Sequence, residues 1–173
     1  MPRFIPLLSS LFILSACNAT LTPEQQAEVE KLSACDKINA LVKGYSNEFN
    51  GLKSQKVTNK YADIWQAKYQ LVGDRCQISQ FSGQQLAYQC QKGFNNQVDA
   101  LENYKEAVAF TQACLSPDNW KMEQVSNGQS VRTNFHLENF PIISIHSGKT
   151  LAKMNNTWST SFQVGAQPTS YAK

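Results

Sequence analysis

The 173-residue chain contains no run of lysine and arginine. Its formal net charge is +3, from 16 basic and 13 acidic residues scattered along the chain. Without a basic stripe to track a phosphate backbone, nucleic acid is not an expected partner. CxxC, GxSxG, HExxH and a phosphate-cradling glycine loop are also missing, which removes the common redox, hydrolase, metalloprotease and nucleotide signatures. Histidine is scarce, with two residues. His136 and His146 lie ten residues apart in predicted strands, a spacing that matches no ligand motif, so they are expected to be structural or surface residues. The acids Asp36, Glu48, Asp63 and Glu123 are too dispersed to form an acid/base pair. Neither a metal nor another cofactor is expected.

A long apolar run is lacking too. The longest, "FIPLLSSLFIL", has eleven residues, whereas a membrane-spanning helix needs about 20. It follows Arg3 and precedes the small residues Ser15 and Ala16, the arrangement of a signal peptide. The string Leu14-Ser15-Ala16-Cys17 resembles the lipobox of bacterial lipoproteins. The resemblance covers residues 1 to 18 and implies cleavage between Ala16 and Cys17, with acyl chains on Cys17. Each buried CH2 contributes about 0.8 kcal/mol, so two or three chains anchor a protein stably. In enterobacteria-like sorting an Asp after the lipidated cysteine retains a lipoprotein in the inner membrane. Asn18 stands there, so the resemblance implies the outer membrane, with the domain facing the periplasm.

With Cys17 set apart, four of the five cysteines remain, an even set in a disulfide-permissive compartment. Cys35, Cys76, Cys90 and Cys114 allow three connectivities. Strand register favours Cys76 with Cys90, leaving Cys35 with Cys114. If both strand cysteines instead face the helices, Cys35–Cys76 and Cys90–Cys114 follow.

Thr22-Pro23-Glu24-Gln25 reads as a helix start with a capping box. The predicted first helix carries Cys35, Ile38, Val42, Tyr45 and Phe49 on one stripe. A three-strand meander follows. Trp65, Ala67, Tyr69 and Leu71 alternate with polar residues, and a Gly73-Asp74 turn sets Leu71 opposite Cys76 and Tyr69 opposite Ile78. A turn around Gly83 sets Ile78 opposite Tyr88 and Cys76 opposite Cys90, with Gln77, Ser79, Gln85 and Gln89 on the other face. The second helix starts at Asn95 or Asn96 and ends at Ser116-Pro117, with Val98, Leu101, Tyr104, Val108 and Leu115 as its stripe. Asn127-Gly128 predicts a type I′ hairpin pairing Trp120 with Phe135 and Glu123 with Arg132. Two more strands follow, the last with Trp158, Phe162 and Val164 on one face. Asn155 suits a turn.

These elements predict an α+β fold, two helices packed on one face of an antiparallel sheet in the order α-β-β-β-α-β-β-β-β. The expected organisation is a signal peptide at 1–16, a lipidated tether at 17–22, one domain at 23–165 and a loose tail at 166–173. The strings "CDKINALVKGYSNEFNGLK", "LVGDRCQI", "LAYQCQKGF" and "YKEAVAFTQACLSPDNW" resemble a four-cysteine domain of many uncharacterised secreted proteins of proteobacteria. That resemblance spans roughly residues 32 to 120 and implies structural cysteines and aromatics, with no activity attached.

Glutamine and asparagine dominate the solvent side of the predicted strands, a surface suited to a protein partner. The expected function is a non-enzymatic outer-membrane lipoprotein, held through acyl chains on Cys17, that binds an envelope protein in assembly or as an immunity factor. One alternative is a carrier of a small apolar ligand in a cavity lined by Trp65, Tyr69, Tyr88 and Tyr104. The other is an envelope hydrolase using His136 or His146.

Overall fold

The computed structural model describes residues 21–81, 86–150 and 158–165. The signal peptide, Ala16 and Cys17, the Gly83 turn, Asn155 and the 166–173 tail lie outside the described residues.

Among the described residues, three helices and eight strands make an α+β fold in the order α-α-β-β-β-β-α-β-β-β-β. The single helix expected at the N-terminus is two. α1 (Pro23–Lys31) begins at the Thr22 capping box, and Leu32 leaves helical geometry at ψ 132°. α2 (Ala34–Tyr45) restarts from a second capping box, in which Ser33 and Asp36 satisfy each other's backbone N–H groups. The Ser33 hydroxyl, donating to the Asp36 carboxylate at 2.6 Å, and then the Ser33 N–H hold that carboxyl below its ordinary pKa. α2 buries Ile38, Leu41 and Val42. Phe49 is fully buried as well, in the turn after the helix and at φ +56° rather than on the helical stripe.

The first meander has four strands, β1 (Lys53–Val57), β2 (Ala62–Ala67), β3 (Arg75–Phe81) and β4 (Ala87–Phe94), so β1 is an addition to the expected three. β2 ends at Ala67, and residues 68–74 cross to β3 as a loop in place of the expected tight turn. Trp65, rather than Tyr69, stands opposite Ile78. The slip is four residues, an even number, so the inward face is preserved. Ile78 opposite Tyr88 and Cys76 opposite Cys90 complete the register, and a disulfide joins Cys76 to Cys90.

α3 (Gln97–Cys114) starts at Asn96, whose side chain accepts from the Asp99 N–H. Its buried stripe is Ala100, Tyr104, Ala107 and Thr111; Val98, expected inside, is 72% exposed. Small residues win that face because they let the helix backbone approach the sheet. The Thr160 hydroxyl donates to the Ala100 carbonyl at 2.8 Å, directly linking strand to helix. Thr111 turns its own hydroxyl back to the Ala107 carbonyl at 2.7 Å, so its burial leaves no orphan donor.

β5 (Lys121–Asn127), β6 (Ser130–His136), β7 (Ile143–Lys149) and β8 (Trp158–Gly165) form the second meander. The hairpin pairs Met122 with Phe135 and Glu123 with Asn134, two residues from the expected register. Its two-residue loop is Gly128-Gln129, and only Gly128 has positive φ, at +57°. That is the signature of a type II′ turn, which wants glycine first.

The sheet order is β1-β2-β3-β4-β8-β7-β6-β5, so the last strand returns to the centre and zips the two meanders together. α2 and α3 pack side by side on one face. Between them and the sheet lie Ile38, Leu41, Ile78, Tyr88, Phe135, Ile145, Phe162 and Val164, all at most 2% exposed. Each such side chain contributes roughly 1.5–3 kcal/mol of hydrophobic stabilisation. A second disulfide ties Cys35 in the first turn of α2 to Cys114 at the end of α3.

Candidate functional site

α2 and α3 cover the inner face of the sheet, and α1 flanks a cleft at the β1–β2 end that Gln66 also lines. On β8, Thr160, Phe162 and Val164 point inward, which leaves Ser159, Ser161 and Gln163 on the outer side. Residues opposite one another in antiparallel strands share a face, so the outer surface can be followed from strand to strand.

From Gln163 the register leads to Gln89, Gln77 and Gln66 in one direction and to Ser144, Asn134 and Glu123 in the other. Seven strands thus contribute one transverse row, and six interstrand steps of about 4.8 Å make it roughly 29 Å long. A second row holds Arg75, Gln91, Ser161, His146, Arg132 and Val125. A third is nearly bare, with Gly93, Ser159 and Gly148 in line.

The glycines give long neighbours room to lie along the sheet. A β-carbon on Gly93 would come within 3.2 Å of Arg75 Nη2, and one on Gly148 within 3.0 Å of His146 Cε1. Burial, with a further push from Arg132, lowers the His146 pKa from its ordinary value. The ring is therefore neutral at pH 7, one nitrogen donating and the other accepting. The surface as a whole is rich in hydrogen-bonding groups and poor in charge.

Other residues singled out from the sequence are spread through the molecule. Tyr88 is fully buried, edge-on to Phe162 at 6.4 Å, and its hydroxyl donates to the Tyr69 carbonyl at 3.0 Å. Burial raises the pKa of Tyr88 and of Tyr104. The Tyr104 hydroxyl shares a hydrogen bond with Thr133. Trp65 sits toward the β1 edge, with the ammonium groups of Lys53 and Lys56 over its ring at 4.3 and 5.3 Å. The structure therefore joins Tyr69 to Tyr88, while Trp65 and Tyr104 belong to different parts of the fold.

Both histidines lie on the outer face, and they do not adjoin. His136 pairs with Lys121 and approaches Glu123 at 3.8 Å, whereas His146 pairs with Arg132, four residues along β6 and roughly 13 Å away. Among the described residues, no three His, Cys, Asp or Glu side chains are grouped to hold a metal ion. The cleft beside α1, about 230 Å³, is lined by Gln26, Val29, Lys37, Ala67 and Lys68 and lies away from both histidines.

Gln77 and Gln89 are recognisable in the sequence as outward-facing. Their continuation into Gln163, Ser144 and Asn134 is not, because it depends on β8 inserting beside β4. The alternation of β8 was the available signal for its outer residues, and nothing local specifies its neighbour. Family models, curated proteins and solved structures were compared with the chain, and none matches it.

Proposed function

We propose that this chain is a non-enzymatic binding module, held at the outer membrane through acyl chains on Cys17, whose envelope-protein partner docks on the outer face of the sheet. The observation that carries the reading is the seven-strand row from Gln66 to Glu123. Amide side chains spread across roughly 29 Å, with the row's one hydroxyl, Ser144, buried among them at 4% exposure, fit a protein surface better than a small ligand, which would need a concave pocket. The weak charge of the face leaves recognition to hydrogen bonds and shape rather than to long-range steering. An envelope-assembly partner and a toxin neutralised by this chain are the two forms of that partner.

A photocrosslinking residue in place of Gln89 or Gln163 tests the docking face, with Glu106 on the solvent side of α3 as the control. Discrete adducts from the two sheet positions alone are the expected result. No adducts, or the same adducts from all three positions, would overturn the assignment. The anchor is tested separately: Cys17→Ala is expected to release the protein from membranes, and unchanged association and processing would remove the anchor without touching the docking face.

A further inference from the structure

The two edges of the sheet are built differently. β1 slips register between Lys53 and Lys56, and both lysines lie over Trp65. Irregular register and lysines keep an edge from accepting another strand. At the opposite edge, β5 pairs with β6 over seven consecutive residues without a slip, and every β5 residue is exposed. It has no proline and one lysine, at its end, and it displays Met122 and Val125 at 49% and 54% exposure.

The hairpin register decides which β5 peptide groups are free. Asn127 and Ser130 close a two-residue loop, and such a closing pair exchanges its backbone hydrogen bonds. Bonded and non-bonded pairs then alternate, so Lys121, Glu123 and Val125 direct their backbone groups at β6. Those of Met122, Gln124 and Ser126 point away from the sheet.

We propose that β5 is a homodimer edge, in which two copies of this chain pair their β5 strands antiparallel about a twofold axis at Gln124. In this register the outward groups of Met122, Gln124 and Ser126 meet those of Ser126, Gln124 and Met122 in the second copy, and the whole strand overlaps. Glu123 stands opposite Val125 and Lys121 opposite Asn127, so no like charges face each other. Sliding the axis to Glu123 would set that carboxylate against its own copy, which is destabilising for a directly opposed pair. Sliding it to Val125 shortens the overlap.

The twofold also places Trp120, which packs against Phe140 with centroids 6.1 Å apart, beside the second copy's Gly128 turn. A β-carbon on Gly128 would meet nothing within 4 Å, so the turn has room for that aromatic pair. Because the same edge serves both copies, the contact is closed and ends at a dimer. The axis runs perpendicular to the sheet, so both helix layers lie on one side and the two outer faces become continuous.

Variants with one added cysteine, made in the Cys17→Ala full chain whose other four cysteines are paired, test the pairing under mild oxidation. A directly opposed pair in an antiparallel ladder has the Cα spacing that a disulfide needs. Gln124→Cys is expected to give at least tenfold more covalent dimer than Lys56→Cys on the other edge. Glu123→Cys and Val125→Cys are each expected to trap poorly alone and efficiently when mixed. Equal trapping at positions 124 and 56 would overturn the interface, and efficient trapping by Glu123→Cys alone would overturn its register. Sedimentation of the unaltered chain gives a second reading. The expected result is a concentration-dependent dimer, weakened at least tenfold by Gln124→Pro, which removes an outward N–H that an edge strand can spare. A chain that stays monomeric at every concentration would overturn the proposal.

Discussion

Cys35 and Cys114 approach to 4.9 Å between Cα atoms, fastening the first turn of α2 to the last residue of α3 across 79 residues of chain. The other bridge, Cys76–Cys90, spans 14 residues within one hairpin. Loop-closure entropy makes the long bridge the stronger one, about 4.5 kcal/mol against about 3 kcal/mol. Replacing Cys35 and Cys114 together with alanine is therefore expected to lower the denaturation midpoint more than replacing Cys76 and Cys90 together. Urea unfolding of the two double variants measures the difference, and the reverse order would show that strand pairing, rather than the helix staple, limits stability.

The hydroxyls of Tyr104 and Thr133 form another inner link, between α3 and β6. Tyr104 is 4% exposed and Thr133 fully buried, so neither hydroxyl has ready access to water. Tyr104→Phe leaves Thr133 with Gln124 Oε1 at 3.5 Å as its remaining partner, and about 1–2 kcal/mol of stability is expected to be lost. Thr133→Val is expected to cost a similar amount. The double variant should lose less than the sum of the two, because it orphans no polar atom. A double-mutant cycle in urea reads that coupling, and strict additivity would mean the hydrogen bond carries no specific stability.

His146 links folding to pH. Its pKa is lowered in the folded protein, first by burial and then by Arg132, whereas the unfolded chain titrates near the ordinary 6.5. Between those two values the unfolded state binds more protons, so stability is full above pH 6.5 and declines as pH falls toward the folded pKa. His146→Gln is expected to flatten this part of the stability profile between pH 7.5 and 5. Arg132→Gln is expected to move the histidine titration upward, which proton NMR of the imidazole detects. An unchanged titration in Arg132→Gln would assign the whole shift to burial.

The parts of the fold legible in the sequence were those fixed by local chemistry. Thr22 and Asn96 mark true helix starts, and the alternation of β3 and β4 sets Cys76 opposite Cys90. The break at Leu32 was legible as well, since Ser33 and Asp36 carry the same kind of capping box as Thr22 and Gln25 and the apolar stripe begins only at Cys35. β1 was hidden because "KSQKV" has little apolar alternation and gains its place by pairing with β2. The α3 stripe misled for a different reason. Hydrophobicity selects Val98, but a helix lying close on β7 and β8 buries alanine and threonine where larger side chains would hold it off. For the candidate site, face could be read from alternation and neighbourhood could not, because the meeting of Gln89 with Gln163 joins segments more than 70 residues apart.

The 68–74 loop makes a final case, since its seating depends on one residue. The Gly73 carbonyl oxygen lies 3.2 and 3.3 Å from the sulfurs of Cys76 and Cys90, so the loop is laid directly on that bridge. A β-carbon at Gly73 would sit 2.6 Å from the Gln91 carbonyl oxygen and 2.8 Å from Lys92 Cβ. The nearest obstacle is strand backbone, which cannot swing aside as a flexible side-chain end does. Gly73→Ala is therefore expected to lift the loop off β4 and cost about 1–3 kcal/mol, the range for overpacking a close contact. Gly51 offers the contrast, with φ +83° and open space around it, so alanine there meets backbone strain alone. Hydrogen exchange separates the two. Gly73→Ala should raise exchange in β3 and β4 near the bridge, while Gly51→Ala should leave those strands protected, and equal protection in both variants would show that the loop tolerates the added methyl group.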